Sequence, residues 1–541
     1  MHWSRPTCCA VSLLLILAAD VCGQGPLSAR IDQEVQKGLQ STPVASRADD
    51  AEFLRRVSLD LTGIIPSAVD ARAFFKDPAA DKRVKLIDKL VASDGFARHM
   101  QNQFDVLLLD RRADKYVKRP EWLKFLRDSF ADNKPYDQLV REILSADGVD
   151  PNSRSAAAFY LNREGEPHVL TKDISRLFLG MNLQCAQCHD HPLVDAYKQD
   201  FYYGVYAFLN RSYVINDKAL KMSVFAEKAD GDVTYQSVFV PKVTKTSGMH
   251  MPDGKPIAEP KLEKGQEYVT APKQGERGVP KYSRRAQLAG ALTSVENPRF
   301  ARAAANRLWS FVFGRGIVHP VEYDHPANPP SHPELLDQLA KDFASRKYDV
   351  KAYVRDLVMS QAYQRASELP KGAKDADPAK FAVAPLRPLT PEQFAWSILQ
   401  ALGELDAERK ALGAKATEAA LYARYAGQTA PIVNLFANQP GEPSTGDFEA
   451  TLDQTLFLRN SEMIRNLLAP RPGDLADRLN NLKDAAPFAE ELYLSVLTRL
   501  PAPEETKDVA DYLARRSADR PVAVQELIWA LVTSAEFRFN H

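Results

Sequence analysis

Cysteine is scarce. The chain has five in 541 residues, and three of them, Cys8, Cys9 and Cys22, stand in the leading segment. Only Cys185 and Cys188 lie beyond it, which excludes a framework of several disulfides. An excess of charge is also lacking: 70 Lys plus Arg meet 70 Asp plus Glu. With no global field to draw it to a polyanion, the chain is not expected to bind nucleic acid. After the N-terminal stretch no run approaches the roughly 20 apolar residues that a membrane span needs. Glycine-rich phosphate-binding patterns are absent, as is a G-x-S-x-G elbow, so neither a nucleotide-binding strand–loop–helix nor a Ser-His-Asp hydrolase is supported.

What is present suffices for ordinary packed cores. Hydrophobic residues make up 45%, and the length suits two to four domains on a scale of roughly 150 residues each. The N-terminus places Arg5 ahead of an apolar run from Cys8 to Ala19, followed by small residues. It reads as a secretory signal peptide, residues 1–23, cleaved near Gly23. Val21 is bulky where a lipoprotein signal before Cys22 wants a small residue, which argues against a lipid anchor. The mature chain is therefore expected in the periplasm or at the cell surface, without a transmembrane span.

Export sharpens the meaning of LQCAQCHDHP, Leu183 to Pro192. Cys185, Cys188 and His189 form C-x-x-C-H, the pattern of c-type haem attachment. Two thiols at this spacing can add to the two vinyl groups of one haem, and the adjacent imidazole then reaches the iron from the same side. Three rival readings stand beside it. A reversible redox disulfide expects a βαβ context that is not seen here. Zinc would take Cys185, Cys188 and His189 or His191, with a fourth ligand from afar. A plain structural disulfide is the third.

A haem also needs an answer on its far side. His332 and His168 are the candidate distal ligands, followed by a methionine among Met181, Met222, Met249 and Met251, or no protein ligand at all. Asp190 and His191 are candidates to orient the proximal imidazole, because ligating histidines donate their second ring N–H to a carboxylate or carbonyl. Asp190 as a turn cap is the plainer alternative. Arg55, Arg56 and Asp60 could meet haem propionates, with an ion pair inside the fold as the plainer alternative.

The periodicity is mostly helical from Leu27 to about Asn210 and again from Lys281. Ser67 and Asp70 mark one helix start, Thr390 and Gln393 another, and Gly63 and Gly314 mark stops. Ser331 and Glu334 read as a capping box that puts His332 at the first helical position. Between Tyr213 and about Pro280 the texture changes. SVFAEKADGDVTYQSVFVPKVTKT alternates and carries an Asp-Gly-Asp turn signal, which predicts a β-hairpin or small sheet; a Gly-, Pro- and Lys-rich surface segment follows, with Met249, His250 and Met251 in an exposed loop. The predicted fold is mainly α: helical modules with a small β insertion between two helical regions.

FLRRVSLDLTGIIPSAVDARAFF and FLGMNLQCAQCHDHPLVDAYKQDFY resemble the paired signatures of the DUF1549 family, a planctomycete cytochrome-type domain also called PSCyt2. RRAQLAGALTSVENPRFARAAANRLWSFVFGRGIV and NPPSHPELLDQLAKDF resemble its usual partner, DUF1553 or PSD1. The resemblance divides the chain into a PSCyt2-like region at 30–210, a β insertion and linker at 211–280 and a PSD1-like region at 281–541. It implies an exported protein with a haem c motif at Cys185, Cys188 and His189, and supplies no reaction. A separate N-terminal cytochrome domain, present in longer relatives, is missing, so one covalent haem at most is expected. The function expected from these readings is electron transfer or haem-based redox chemistry outside the cytoplasm, with an unknown redox partner protein or small-molecule substrate. The alternative is a haem-free binding or hydrolytic protein stabilised by zinc or a disulfide.

One phrase recurs three times: LVASDGF at Leu90 to Phe96, LVMSQAY at Leu357 to Tyr363, and LVTSAEF at Leu531 to Phe537. Each closes an amphipathic run, and the Ser-x-x-aromatic step suits a helix stop whose aromatic packs back on the apolar face. The outer two extend to a duplicated helical unit, roughly residues 54–100 and 493–541, that would pack as related modules.

Overall fold

The stretch that begins FLRRVSLD sits where the molecule's two hydrophobic cores meet. In a computed structural model, which describes residues 25–373, 375–437 and 451–541, it belongs to the second helix. The first is α1 (Leu27–Leu39) and the second α2 (Asp50–Thr62). Asp49 caps α2 by accepting from the N–H groups of Ala51 and Glu52, and Gly63 ends it in the left-handed region at φ 70°. Every residue from Phe53 to Thr62 is buried, so this helix is enclosed on all sides. Phe53, Leu54, Val57 and Leu61 join one core, while Leu59 joins the other. The expected signal peptide, with Cys8, Cys9 and Cys22, lies outside the described residues.

The first core gathers α1 and α2 with α3 (Ala68–Lys76), α4 (Lys82–Val91), α5 (Asp94–Leu109), α6 (Arg119–Ala131), α7 (Tyr136–Ser145), α8 (Ala158–Leu161), α9 (Pro167–Phe178) and α10 (Gln199–Tyr206). It continues across the β insertion into α11 (Arg284–Leu292), α12 (Pro298–Phe313), α13 (Pro333–Ser345) and α14 (Val350–Met359). The second core begins at Leu389 and α15 (Pro391–Ala401) and runs to Phe537. The change from one core to the other falls between Phe381 and Leu389, with Leu494 returning to the first core and Leu59 and Ile65 joining the second. The architecture is mainly α, with only two-stranded sheets among the described residues.

Most helix boundaries follow their capping chemistry. Ser67 accepts from the N–H of Asp70, Thr390 and Gln393 form a reciprocal capping box, and Gly314 closes α12 at φ 73°. The box expected from Ser331 and Glu334 is not formed. His332 itself is the N-cap of α13, without a side-chain cap bond, because the Ser331 hydroxyl is turned to the carbonyl of Ile317.

The repeated phrase is a structural repeat. In all three copies the serine hydroxyl donates to the carbonyl three residues back at 2.7 Å and accepts from the aromatic residue's N–H at 3.2 to 3.3 Å. One side chain thus stops a helix and starts the next turn. The aromatics Phe96, Tyr363 and Phe537 are buried, and two of them lie beneath α2, with Arg56 over the Tyr363 ring and Arg55 over the Phe537 ring.

The insertion, expected as a β-hairpin or small sheet, holds three separate two-stranded antiparallel pairs, the last a short one between Tyr268–Thr270 and Val279–Pro280. Strands β1 (Ser212–Asp217) and β2 (Met222–Glu227) pair antiparallel, as do β3 (Val233–Ser237) and β4 (Val240–Ser247). The Asp-Gly-Asp signal joins the hairpins, with Gly231 at φ 130°, and is not itself a hairpin turn. Met249, His250 and Met251, expected in an exposed loop, are buried. The reason is contact: His250 rests over Gly204 of α10, where an added Cβ would come within 2.5 Å of its Nε2.

Candidate functional site

The Cys185–His189 segment follows α9 and is fastened from three sides. A 3-10 turn, Cys185–Gln187, brings the N–H of Cys188 to the carbonyl of Cys185 at 3.2 Å. From α10, the Tyr203 hydroxyl donates to the carbonyl of Gln187 at 2.9 Å. From the tip of the second hairpin, the Val238 N–H donates to the carbonyl of Cys188 at 3.0 Å. Tyr203 also stacks on Tyr235 of β3, ring centres 4.2 Å apart, so helix, motif and hairpin form one unit. A lone two-stranded hairpin is marginal in water; these contacts are what hold this one.

Cys185 and Cys188 are free thiols, and both are exposed. Neighbouring backbone settles the ring nitrogens of the two motif histidines. His189 Nδ1 lies 2.7 Å from the carbonyl oxygen of Asp190. A carbonyl only accepts, so Nδ1 carries the hydrogen, and in the neutral ring the lone pair is then on Nε2. His191 is the reverse: its Nδ1 accepts from the N–H groups of Leu193 and Val194 at 3.2 and 3.1 Å, which leaves the hydrogen on Nε2. One imidazole is set as a ligand and the other as a donor.

Asp190 supports this with its backbone. Its carboxylate is engaged elsewhere, accepting from the N–H of Gln199 at the start of α10 at 2.8 Å, so it caps that helix and not the turn before Pro192.

On the motif segment and the tip of the second hairpin, large apolar side chains are left exposed among the described residues. Leu193 is 84% exposed, Phe239 73% and Val238 59%, with Val240 and Val243 beside them on β4. The Phe239 ring stands 4.8 Å from that of His189. Clustered apolar exposure of this kind marks a place where something binds.

The more distant candidates fall into different settings. His168, at the start of α9, shares a 2.8 Å hydrogen bond between its Nδ1 and the Tyr202 hydroxyl and stacks on Tyr206, one layer behind the motif across α10. Burial lowers its pKa. His332 is buried against α1, where a Cβ on Gly38 would come within 2.4 Å of its Nε2, and its ring packs on Phe381. Its neighbours belong to other segments than the motif. Met181 and Met249 are core residues, Met251 is buried, and the Met222 sulfur sits 3.3 Å from Arg154.

Arg55, Arg56 and Asp60 are away from the motif, in the packing of α2. Arg55 donates to the carbonyls of Val496 and Phe537, and Arg56 to those of Tyr363 and Arg365. Asp60 accepts from Arg387, from the Tyr363 hydroxyl and from Asn540, at 2.7 to 2.8 Å. These are ties between the two cores, and no propionate contact is needed to account for them.

Sequence reasoning missed one neighbour of the motif, His325. The loop after α12 runs along residues 180–182, just ahead of the cysteines: Asn182 donates to the carbonyl of Glu322 at 2.8 Å, and Asp324 to that of Gly180 at 2.9 Å. Tyr197 then stands edge-on between two imidazoles, 6.0 Å from His191 and 5.1 Å from His325. Burial, and next the nearby His191, lower the pKa of His325. The only signal in the sequence was a loop rich in histidine and proline.

Among the described residues no group of three or more His, Cys, Asp or Glu side chains is placed to hold a metal ion. The zinc set of Cys185, Cys188 and His189 or His191 is thus not assembled, and His191 has its Nδ1 engaged and its Nε2 protonated. Nor is any described helix long and apolar enough to cross a membrane.

Fold and motif together define an α-helical protein with a surface C-x-x-C-H segment gripped by helix and hairpin. Residues 30–213 match PSCyt2, a protein of unknown function (DUF1549), and residues 284–513 match PSD1, a protein of unknown function (DUF1553), so the chain belongs to both families, one after the other. No curated protein and no solved structure matches the chain.

Proposed function

We propose that this is an exported c-type cytochrome-like protein that carries one covalent haem on Cys185 and Cys188, with His189 as the iron's protein ligand, and serves electron transfer or haem-based redox chemistry outside the cytoplasm. The observation that carries the reading is the donor set: two free exposed thiols with two residues between them, directly followed by an imidazole whose Nδ1–H is held by a carbonyl and whose Nε2 is available. Proximal histidines are oriented by such a second bond, which also raises their basicity.

Two further features support it. The exposed side chains of Leu193, Val238, Phe239, Val240 and Val243 provide an apolar surface beside the thiols, suited to a flat macrocycle that would otherwise face water. His191 presents an N–H at Nε2, the kind of donor that a carboxylate of the bound group can accept. When bound, haem would supply one-electron chemistry. The chain's own part is to hold the group by the thiols, fix His189 through the Asp190 carbonyl and shield one side with the hairpin.

The test is a haem stain after denaturing electrophoresis, with an absorption spectrum, on full-length protein exported from a host with c-type haem maturation. A covalent chromophore lost in the Cys185→Ala, Cys188→Ala double variant supports the reading. A colourless wild-type protein sinks it.

A further inference from the structure

The haem site proposed above leaves the iron's far side open, and this inference rests on that reading. We propose that the far-side ligand is His325, contributed by the PSD1 region, so that the site is built from both families.

The loop that carries His325 is held tightly against the motif. Besides the two backbone bonds to residues 180 and 182, the Asn182 side chain donates to the Tyr323 hydroxyl at 3.0 Å. Three residues before His325, the Glu322 carboxylate is paired with Arg176 of α9 at 3.1 Å and with Arg307 of α12 at 3.7 Å. Arg176 is in turn bonded to Asp173 and Asp110 inside the protein. This buried charge network joins the two family regions just behind the cysteines, and its placement fixes where His325 emerges.

Four other imidazoles are held against other parts of the protein. His168 has its Nδ1 on Tyr202, His191 has its Nδ1 on backbone N–H groups, His250 lies over Gly204 with its Nε2 3.4 Å from Asp200, and His332 is wedged against Gly38. His325 is set apart by its place: its Nδ1 is buried without a hydrogen-bond partner among the described residues, as is the Nε2 of His332, but only the loop of His325 is bonded to residues 180 and 182 just ahead of the motif. Its ring packs edge-on against Tyr197 and Tyr323. A buried polar atom without a partner calls for an explanation, and an imidazole so placed beside a haem-attachment motif is accounted for as a ligand that awaits its iron.

The test compares reduced spectra and carbon monoxide binding of the haem-loaded, full-length wild type with those of His325→Ala, His332→Ala and His168→Ala. The expected result is a wild type with sharp six-coordinate bands that resists carbon monoxide. His325→Ala should keep its full haem stain, lose those bands, take up carbon monoxide readily and regain the bands when imidazole is added. The His332 and His168 variants should behave as wild type.

A wild type that binds carbon monoxide as readily as His325→Ala overturns the proposal, as does loss of the bands in His332→Ala or His168→Ala in place of His325→Ala. Retained haem separates these outcomes from failure of the haem reading itself, in which the wild type is colourless. Recovery with imidazole excludes a mere folding defect in His325→Ala.

Discussion

The α2 junction and the cysteine motif each reverse the usual placement of residue types, one by burying charge and the other by exposing apolar side chains. At the junction, Arg55, Arg56 and Asp60 are buried, and their hydrogen bonds run to segments far away in sequence. At the motif, thiols and large apolar side chains lie exposed while the backbone beneath them is bonded. A charged group taken into the interior needs full pairing to be tolerated, whereas a surface that leaves Phe239 and Leu193 in water gives up burial energy and points to something that covers it.

The largest test of this contrast is the double change Cys185→Ala, Cys188→Ala. It is expected to abolish covalent haem completely while leaving the stability of the haem-free chain within about 0.5 kcal/mol, as for other surface changes. Urea unfolding beside the haem stain reads both. Next comes Asp60→Ala, which leaves Arg387 without its partner and should cost about 3–5 kcal/mol, seen as a lower urea midpoint with no change in the attachment chemistry of any haem-loaded fraction.

The third is a pH dependence. Burial, then the nearby Arg98 and Arg387, hold the His99 pKa down at about 3, against about 6.5 in the unfolded chain. Between those values the unfolded state binds the extra proton. The stability this neutral histidine permits is therefore full above pH 6.5 and declines as pH falls toward 3, at up to ~1.4 kcal/mol per pH unit. Unfolding curves at pH 7 and pH 5 measure it, and His99→Asn should flatten the slope.

Gly63→Ala is a smaller perturbation of the same region. The residue sits at φ 70°, and an added Cβ would come within 2.5 Å of His99 Nδ1; the expected loss exceeds about 1 kcal/mol. Smallest of all is Phe239→Ser. It should change haem-free stability by less than about 0.5 kcal/mol, yet reduce binding of a hydrophobic dye to the unloaded protein. A large loss of stability would mean that the ring is part of the packing and not of an open surface.

Much of the local structure was legible. Ser67, Thr390, Gly63 and Gly314 act through bonds to residues three or four positions away, so the sequence carries both partners of each interaction. The repeated Ser-x-x-aromatic phrase was readable for the same reason. Where a competing partner lay elsewhere, the reading failed: Ser331 turned to Ile317, and the Asp-Gly-Asp signal became a joint because each neighbouring strand found its mate on the far side.

What the sequence by itself determined is the set of helices, the β insertion, membership of both families and the pairing of two lone cysteines with His189, all set by near-neighbour chemistry. Only the tertiary structure decided that Arg55, Arg56 and Asp60 bind the two cores together, that His332 lies against α1, and that His325 arrives beside the motif. Those outcomes depend on which distant surfaces exclude water together, and hydrophobic burial is non-directional. Periodicity can show that a face will be covered; the packing of all the helices at once chooses what covers it.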